Sequence, residues 1–374
     1  MKYLIIAPGY PSEENKYNNG FIHTRVKLYL KNKMDVTIFS YTKGALRKYT
    51  YEDVTVYTGG KKAYIEFLKE KTYDKYLVHF GFKKIIKPII KNNSNSTIIT
   101  WVHGTEALGW YRRLFAFNIK KPYRFLGYII LNIIQLNFLR RLINSNYDIT
   151  YVFVSNWMKN ILEKDTHSIG KIKKYKIIPN VIDDSIFKYQ EKKPNDRLNI
   201  LSIRPFQSKK YANDLTVKTI LKLSTEPYFS KLKFTIYGDG RLFDKTLKPI
   251  KNIENVKIYR KFLTHNDISR EHKKNGIMLI PTRQDAQGVS MCEAMSSGLV
   301  PVTSNNTAIP EYVNNECGYL ANNVDELASA ITEMYYNEKV FLAKSKKAHD
   351  FIFEKCSPKK VMTEELNLIN KKGK

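Results

Sequence analysis

Cysteine is scarce in this 374-residue chain: Cys292, Cys317 and Cys356 are scattered through its second half. That number and spacing exclude a disulfide framework and a zinc site, and point to a reduced, cytoplasmic protein. No Gly-x-Gly-x-x-Gly follows any strand-like run, which disfavours a NAD-dependent dehydrogenase. Short internal repeats are absent, and the Lys-rich tail is the one low-complexity tract. No uncharged run reaches the roughly 20 apolar residues that a membrane-spanning helix needs. The most apolar of the long ones, "FLGYIILNIIQLNFL" at 125–139, has fifteen residues and includes two Asn and a Gln. The N-terminal "MKYLIIAPGYP" runs into proline and acidic residues instead of a small-residue cleavage site. It is expected to be a buried first strand and not a signal peptide. Acidic residues are also few, 35 Asp and Glu against 63 Lys and Arg, for a net charge of +28.

What is present is a chain able to build cores. Hydrophobic content of 43% and aromatic content of 13% exclude a mainly disordered protein, and the length predicts two domains. The basic excess lies mostly in residues 1–180, with 31 Lys and Arg against 12 Asp and Glu. Such a field attracts nucleic acid, an anionic membrane surface or phosphorylated substrates, and carries no information about fold. The run 125–139 has "KKPYR" before it and "RR" after it. A helix lying in a membrane interface shows that combination, and so does a long core helix with charged ends. Both readings stand at this point.

Strand-like runs alternate with helix-length segments nearly throughout. "YLIIAP", "DVTIFS", "KYLVHF", "TIITWV" and "ITYVFV" are the clearest of the first half; "LNILSI", "FTIYG", "VKIYR", "GIMLIP" and "LVPVTS" are those of the second. Continuous Val/Ile/Leu/Phe strands separated by helices predict α/β domains whose parallel sheets are covered on both faces. The alternation breaks over "IIPNVIDDSIFKYQEKKPNDRL", where a linker is expected. The chain is therefore divided into residues 1–182, a linker 183–198, a second domain 199–355, and a last helix in 356–374. Two doubly wound domains facing a central cleft would bind ligands in the loops after their strands.

One such loop is "RQDAQGVSMCEAMSSGLVPV", residues 283–302. It follows the strand "GIMLIP" and leads into a helix stopped by Gly298. Gly288 and Val289 stand where loop becomes helix, so bare backbone N–H groups and the helix dipole can meet an anion there. Asp285 lies ahead of that end and Glu293 about one and a half turns inside. A carboxylate accepts hydrogen bonds from hydroxyl pairs. Two acids with an anion site between them match a nucleotide-sugar, with hydroxyls at either end and a diphosphate in the middle.

This stretch resembles the signature of retaining glycosyltransferases of family 4, with the GT-B fold, in which two glutamates are separated by seven residues. Asp285 stands in place of the first glutamate, one methylene shorter. The following "LVPVTSNNTAIPEYV" is similar to the strand and loop that close the family's nucleotide pocket. The likeness extends over nearly the whole chain. "LSIRPFQSKKYANDL" looks like the segment whose Arg and Lys pair with the donor diphosphate; this implies Arg204 and either Lys209 or Lys210. "FTIYGDGR" is similar to a glycine-bearing turn near the nucleotide, and is equally a plain tight turn. "APGYPSEENKYNNGFIHTRVKLYL" resembles the first strand, loop and helix, with Gly20 near the donor phosphates. "ITWVHGTEALGW" places His103 where the family's histidine contacts the donor sugar, with Glu106 one turn on.

The resemblance implies transfer of a hexose or N-acetylhexosamine, with retention, from a nucleotide-sugar (UDP favoured) to a glycan or lipid-linked acceptor in cell-surface polysaccharide or capsule synthesis. His103, Asp285 and Glu106 would serve the reacting centre. Gly20, Arg204, Lys209, Lys210, Gly288, Val289 and Glu293 would hold the donor. No Asp-x-Asp occurs, so no metal cofactor is expected. Arg112, Arg113 and residues 120–144 would face an anionic membrane on the inner leaflet, and the last helix would return to the first domain. Rival readings are a GT-B nucleotide-sugar epimerase and a nucleic-acid-binding protein; the second has no recognisable binding motif to support it.

Overall fold

The computed structural model describes residues 1–15, 18–117 and 122–371. Lys120 and Lys121, part of the expected membrane-facing segment, and the tail 372–374 lie outside them. The chain divides into two compact units, residues 1–181 with 361–374, and residues 182–360.

In the first unit eight strands form one sheet: β1 (Lys2–Ala7), β2 (Asp35–Tyr41), β3 (Arg47–Tyr51), β4 (Val54–Gly59), β5 (Lys75–His79), β6 (Thr97–Val102), β7 (Ile149–Phe153) and β8 (Tyr175–Ile177). Their order is β3-β4-β2-β1-β5-β6-β7-β8, and every pair is parallel except β3 with β4. That hairpin departs from the all-parallel expectation. Its two-residue turn, Glu52–Asp53, holds both residues at positive φ, as tight hairpins require. The central strands are buried throughout: Ile5 pairs with Ile38 on one side and Leu77 on the other. The chain runs outward in opposite directions from β1 and β5, which sets a crevice at their carboxyl ends.

The second unit holds β9 (Asn199–Ile203), β10 (Lys233–Gly238), β11 (Val256–Arg260), β12 (Ile277–Leu279), β13 (Val300–Ser304) and β14 (Tyr319–Ala321). They run in the order β11-β10-β9-β12-β13-β14, all parallel. Alternate residues feed separate cores on the two faces. Ile200, Ile277 and Leu279 join one; Leu201, Met278 and Ile280 join the other. The helix Val289–Ser296 lies on the second of these, through Met291, Cys292, Ala294 and Met295.

The linker expected at 183–198 is not a free connector. Phe187 is buried against His265 and His272, and the buried Lys192 ammonium donates to the His272 carbonyl at 2.6 Å. Residues from Ile182 onward therefore belong to the second unit's packing. The last helix, Pro358–Ile369, places Val361, Met362 and Ile369 in the core of the first unit. Its Glu365, fully buried, accepts from Arg25 Nε at 2.8 and 3.0 Å and from Trp101 Nε1 at 3.3 Å.

Candidate active site

In the second sheet β9 and β12 are neighbours whose connections leave in opposite directions, so their carboxyl ends frame the crevice of a doubly wound sheet. Arg204 is the first residue after β9. A Cβ at Gly238 would lie 2.0 Å from the Arg204 carbonyl, and one at Gly240 would lie 2.5 Å from Phe206. The "YGDG" turn is thus a close-approach device that shapes the Arg204 loop. Asp239 at its centre pairs with Arg260 at 2.8 Å.

Arg204 is 5% exposed. It lies over the Tyr211 ring at 5.0 Å, and its Nη1 is 3.4 Å from Ser290 Oγ in the first turn of helix Val289–Ser296. Its Nε is buried with no hydrogen-bond partner, and among the described residues no carboxylate forms an ion pair with it. Burial depresses its pKa, a tendency that the charge of nearby Asp285 opposes. A buried cation costs free energy unless an anion meets it. The arrangement is that of a site built for one, with the helix N-terminus adding partial positive charge.

Asp285 occupies the loop after β12. Its Oδ1 accepts from the Gly288 N–H at 3.0 Å and from Gln287 N–H at 3.4 Å. The acid therefore shapes the approach to the helix, and Gly288 itself holds φ 83°, a left-handed conformation that side chains resist. A Cβ there would crowd Ile309 at 3.0 Å. Val289 opens the helix and is partly exposed beside it. Glu293, partly buried, makes no side-chain hydrogen bond or ion pair among the described residues. Burial pushes its pKa up to about 8. Neither acid is turned out into bulk water.

Lys209 and Lys210 belong to one short helical turn, Lys209–Tyr211. Their backbone is tied to the Asp285 loop: Arg283 N–H donates to the Lys210 carbonyl at 2.9 Å, and Arg283 Nη1 to that of Lys209 at 2.8 Å. Asp214 fixes Arg283 with two contacts, 2.8 and 2.7 Å. The side chains differ. Lys209 is exposed, whereas Lys210 lies over Tyr211, the ring that Arg204 also covers. Lys210 is the lysine grouped with the arginine. Tyr211 and Ser290 were not expected from sequence; the signal for Tyr211 was an aromatic flanked by the very Arg and Lys that share it.

In the first unit His103 follows β6. Phe21 and Phe80 pack on its ring at 4.8 and 4.6 Å between centroids, and His79 Nδ1 lies 3.1 Å from its Nε2. Burial, with Arg25 as the lesser cause, holds its pKa well below the usual histidine value, so the ring is neutral at neutral pH. Phe80 holds φ 63°, a conformation that costs a bulky side chain free energy and that clusters at functional sites.

Glu106 is not open to a sugar as expected. It is 1% exposed, and its Oε1 accepts from the His103 backbone N–H at 2.8 Å while Oε2 is buried and unpartnered. It positions the His103 loop. Burial raises its pKa to about 7. Gly20 begins the helix Gly20–Lys31, and Asn19 before it holds the left-handed conformation, φ 59°. The special backbone is thus at Asn19.

The arginines expected to face a membrane, Arg112 and Arg113, are also occupied. Arg112 grips Asp165 through Nε and Nη2 at 2.7–3.0 Å, and Asp165 further accepts from the Gly109 N–H at 2.7 Å and the Tyr111 hydroxyl at 2.6 Å. Arg113 Nη2 donates to the Gly104 carbonyl at 3.2 Å. Both secure the loop beyond His103. Among the described residues no group of three or more His, Cys, Asp or Glu is placed to hold a metal ion.

Residues 198–337 match the family model described as Glycosyl transferases group 1. A poly(ribitol-phosphate) alpha-N-acetylglucosaminyltransferase of Staphylococcus aureus (strain COL) is 30% identical over 145 residues, which is 37% of this chain and 29% of the relative's length. The structure of S. aureus TarM bound to UDP and alpha-GlcNAc-glycerol superposes with a TM-score of 0.60 at 20% identity, over 83% of this chain and 59% of that one. Anabaena HepE, in complex with UDP and glucose, gives 0.70 at 12% identity over 100% of both chains. Sucrose-phosphate synthase of Thermosynechococcus elongatus gives 0.72 at 11% identity over 98% of both. The fold is GT-B, and the Arg204 site lies within the segment 198–337 that matches the glycosyl transferases group 1 model.

Proposed function

We propose that this protein is a retaining glycosyltransferase that moves a hexose or N-acetylhexosamine from a nucleotide-sugar, a UDP-sugar in the first instance, to a glycan or lipid-linked acceptor of the cell surface. The observation that carries the reading is Arg204: a buried cation with no carboxylate partner among the described residues, at the first turn of helix Val289–Ser296. Departure of a nucleoside diphosphate develops negative charge on its outer phosphate. A fixed guanidinium, Lys210 and a helix N-terminus stabilise that charge without reorganising. Glu293, unpaired, accepts hydrogen bonds from hydroxyls at one end of the donor, and Asp285 shapes the loop at the other. His103, neutral and held by Glu106, contributes at the donor sugar. The departing phosphate helps deprotonate the acceptor, so no protein nucleophile is invoked. Positive charge comes from side chains and backbone, and the reaction is proposed to need no metal; complete loss with a chelator, restored by manganese, would overturn that. The names of the matched S. aureus and Anabaena proteins, which carry UDP or an N-acetylglucosaminyl transfer, support the donor class.

A thermal-shift panel of UDP-, GDP- and ADP-sugars tests the reading, because a ligand stabilises the fold by about 2.7 kcal/mol at a hundred times its Kd. A donor must raise the midpoint in the parent and fail to do so in Arg204→Ala. Absence of a shift with every donor sinks the proposal. Conversion of UDP-N-acetylglucosamine with no acceptor present would replace it with epimerisation.

A further inference from the structure

The helix Pro122–Ile143 has its polarity reversed relative to a core helix. It is 22 residues long, since Pro122–Arg124 and Arg140–Ile143 extend the uncharged run at both ends, and by length and composition it could cross a membrane. Its buried stripe, however, contains Asn132 and Gln135. Asn132 accepts from the Trp110 N–H and donates to the Leu108 carbonyl, and Gln135 accepts from the Lys83 N–H and donates to the Gly81 carbonyl. These amides bolt the helix to the first unit. Tyr123, Leu126, Ile130 and Leu131, by contrast, are each about 60% exposed or more (63, 61, 59 and 68%). A core helix buries such residues, so that reading of the sequence fails.

Beside this helix a groove of about 900 Å³ is framed by the helices Lys61–Glu70 and Lys83–Asn92. Six lysines line it: Lys61, Lys69, Lys83, Lys84, Lys87 and Lys91. No Asp or Glu is among its lining residues, and among the described residues none of the six forms an ion pair. Phe82, Leu131 and Ile134 give it an apolar wall continuous with the exposed face of Pro122–Ile143. The Tyr128 hydroxyl, another lining group, is buried with no hydrogen-bond partner. Six unneutralised ammonium groups and an idle hydroxyl call for an anion with several acceptor oxygens. The apolar wall calls for hydrocarbon on the same molecule. A soluble sugar-phosphate polymer supplies the first and not the second.

We propose that this groove binds the phosphate headgroup of an anionic phospholipid, while the exposed face of Pro122–Ile143 lies among the acyl chains at the membrane interface. The inference deepens the reading of a cell-surface acceptor, and it locates membrane attachment at the groove lysines and not at Arg112 and Arg113.

Co-sedimentation of the full chain with vesicles, at fixed salt and with neither donor nor acceptor, tests it separately from glycosyl transfer. Vesicles of phosphatidylglycerol in phosphatidylcholine must retain the protein, and phosphatidylcholine alone must not. The variant Lys84→Gln/Lys87→Gln/Lys91→Gln should bind about 100-fold more weakly. The variant Lys171→Gln/Lys173→Gln/Lys174→Gln, with the same change in net charge at residues that do not line the groove, should bind within about threefold of the parent. Leu126→Ser/Ile130→Ser should weaken vesicle binding without altering retention on inorganic polyphosphate. Circular dichroism and donor thermal shift establish that each variant is folded. Equal losses in the two lysine variants would overturn the groove assignment. Vesicle binding unaffected by the serine pair, with polyphosphate competing fully, would assign the lysines to a soluble polyanion and overturn it too.

Discussion

Arg204 Nη1 lies 3.4 Å from Ser290 Oγ, across 86 residues of sequence, so the exit of β9 and the first turn of helix Val289–Ser296 share one cation. No carboxylate among the described residues forms an ion pair with it, and this sets two opposed expectations for its removal. Arg204→Ala should lose about 100-fold in affinity for a nucleoside diphosphate, the scale of charge-assisted hydrogen bonds to phosphate. The ligand-free protein should be no less stable, because the substitution also deletes a buried, incompletely satisfied guanidinium. Titration calorimetry with UDP and urea unfolding of the free protein measure the two. Arg204→Lys should restore part of the affinity, since a point charge replaces the planar fork.

Glu293 makes the donor site sensitive to pH. Its folded pKa of about 8 stands above the usual carboxylate value of 4.5 because burial penalises the charged form. The unfolded chain ionises first. The contribution to stability is therefore complete below pH about 4.5 and is lost as pH rises through 8. Glu293→Gln should make that decline in thermal midpoint shallower and end it near pH 7, where the remaining contribution of Glu106 runs out. Hydroxyl groups donate best to the ionised acid, so UDP-sugar affinity in the parent should rise toward pH 8, and in Glu293→Gln it should be weaker and flat. A midpoint that falls equally in both proteins would contradict the assignment.

The ten strands expected from sequence all occur, and all but the edge strand β11, where only Val256 is buried, are parallel strands whose buried Ile, Leu, Val and Phe leave an apolar run. The four strands that escaped notice are different. β3, "RKYTY", is a polar edge strand; β4, "VTVYTG", inside it, alternates buried Val with exposed Thr and has no continuous apolar run; and the edge strands β8 and β14 have three residues each. Edge strands carry little apolar signal for a physical reason: charge and brevity protect them from pairing with other chains. The site divides in the same way. Arg204, Asp285, Gly288 and Glu293 were legible because strand–loop–helix order fixes where they must stand. The partner of Arg112 was not, because Asp165 reaches it only through the fold, and that of Glu106 was not, because it depends on a local turn that folds the side chain back onto the His103 N–H. Helix Pro122–Ile143 was ambiguous because an interfacial helix and a core helix share a composition; the exposure of Tyr123, Leu126, Ile130 and Leu131 sets it apart from a core helix, and its place at a membrane is our proposal.

The same limit hid Glu365. It is separated by 340 residues from Arg25, yet the two form a fully buried ion pair at 2.8 Å, with Trp101 and Tyr29 also donating to the carboxylate. Removing one member of a buried pair strands the other, at a cost of about 3–5 kcal/mol. Glu365→Ala should lower the urea midpoint of the first unit by that scale, and Glu365→Gln, which keeps the acceptor oxygen, should lower it less. Because the site residues of the second unit are untouched, UDP binding to the folded protein should persist in both variants.

Glu106 offers the sharpest separation of positioning from chemistry. Its carboxyl is buried, one oxygen holds the His103 N–H at 2.8 Å, and its pKa is pushed up to about 7 from 4.5 by burial. The stability it contributes is complete below pH about 4.5 and declines as pH rises through 7. Glu106→Gln presents a carbonyl oxygen to the same N–H without a titrating proton. Its thermal midpoint should fall less steeply with pH than the parent's over that window, with kcat within about threefold of the parent, a bound set by a hydrogen bond kept in kind. Glu106→Ala leaves the His103 N–H without its acceptor and should cost about 1–3 kcal/mol of stability. Its kcat should fall while the Kd for UDP, set in the second unit, stays unchanged. If Glu106→Gln instead abolished turnover at every pH, the carboxylate itself would be taking part in the reaction, and its assignment as the group that holds His103 in place would have to be withdrawn.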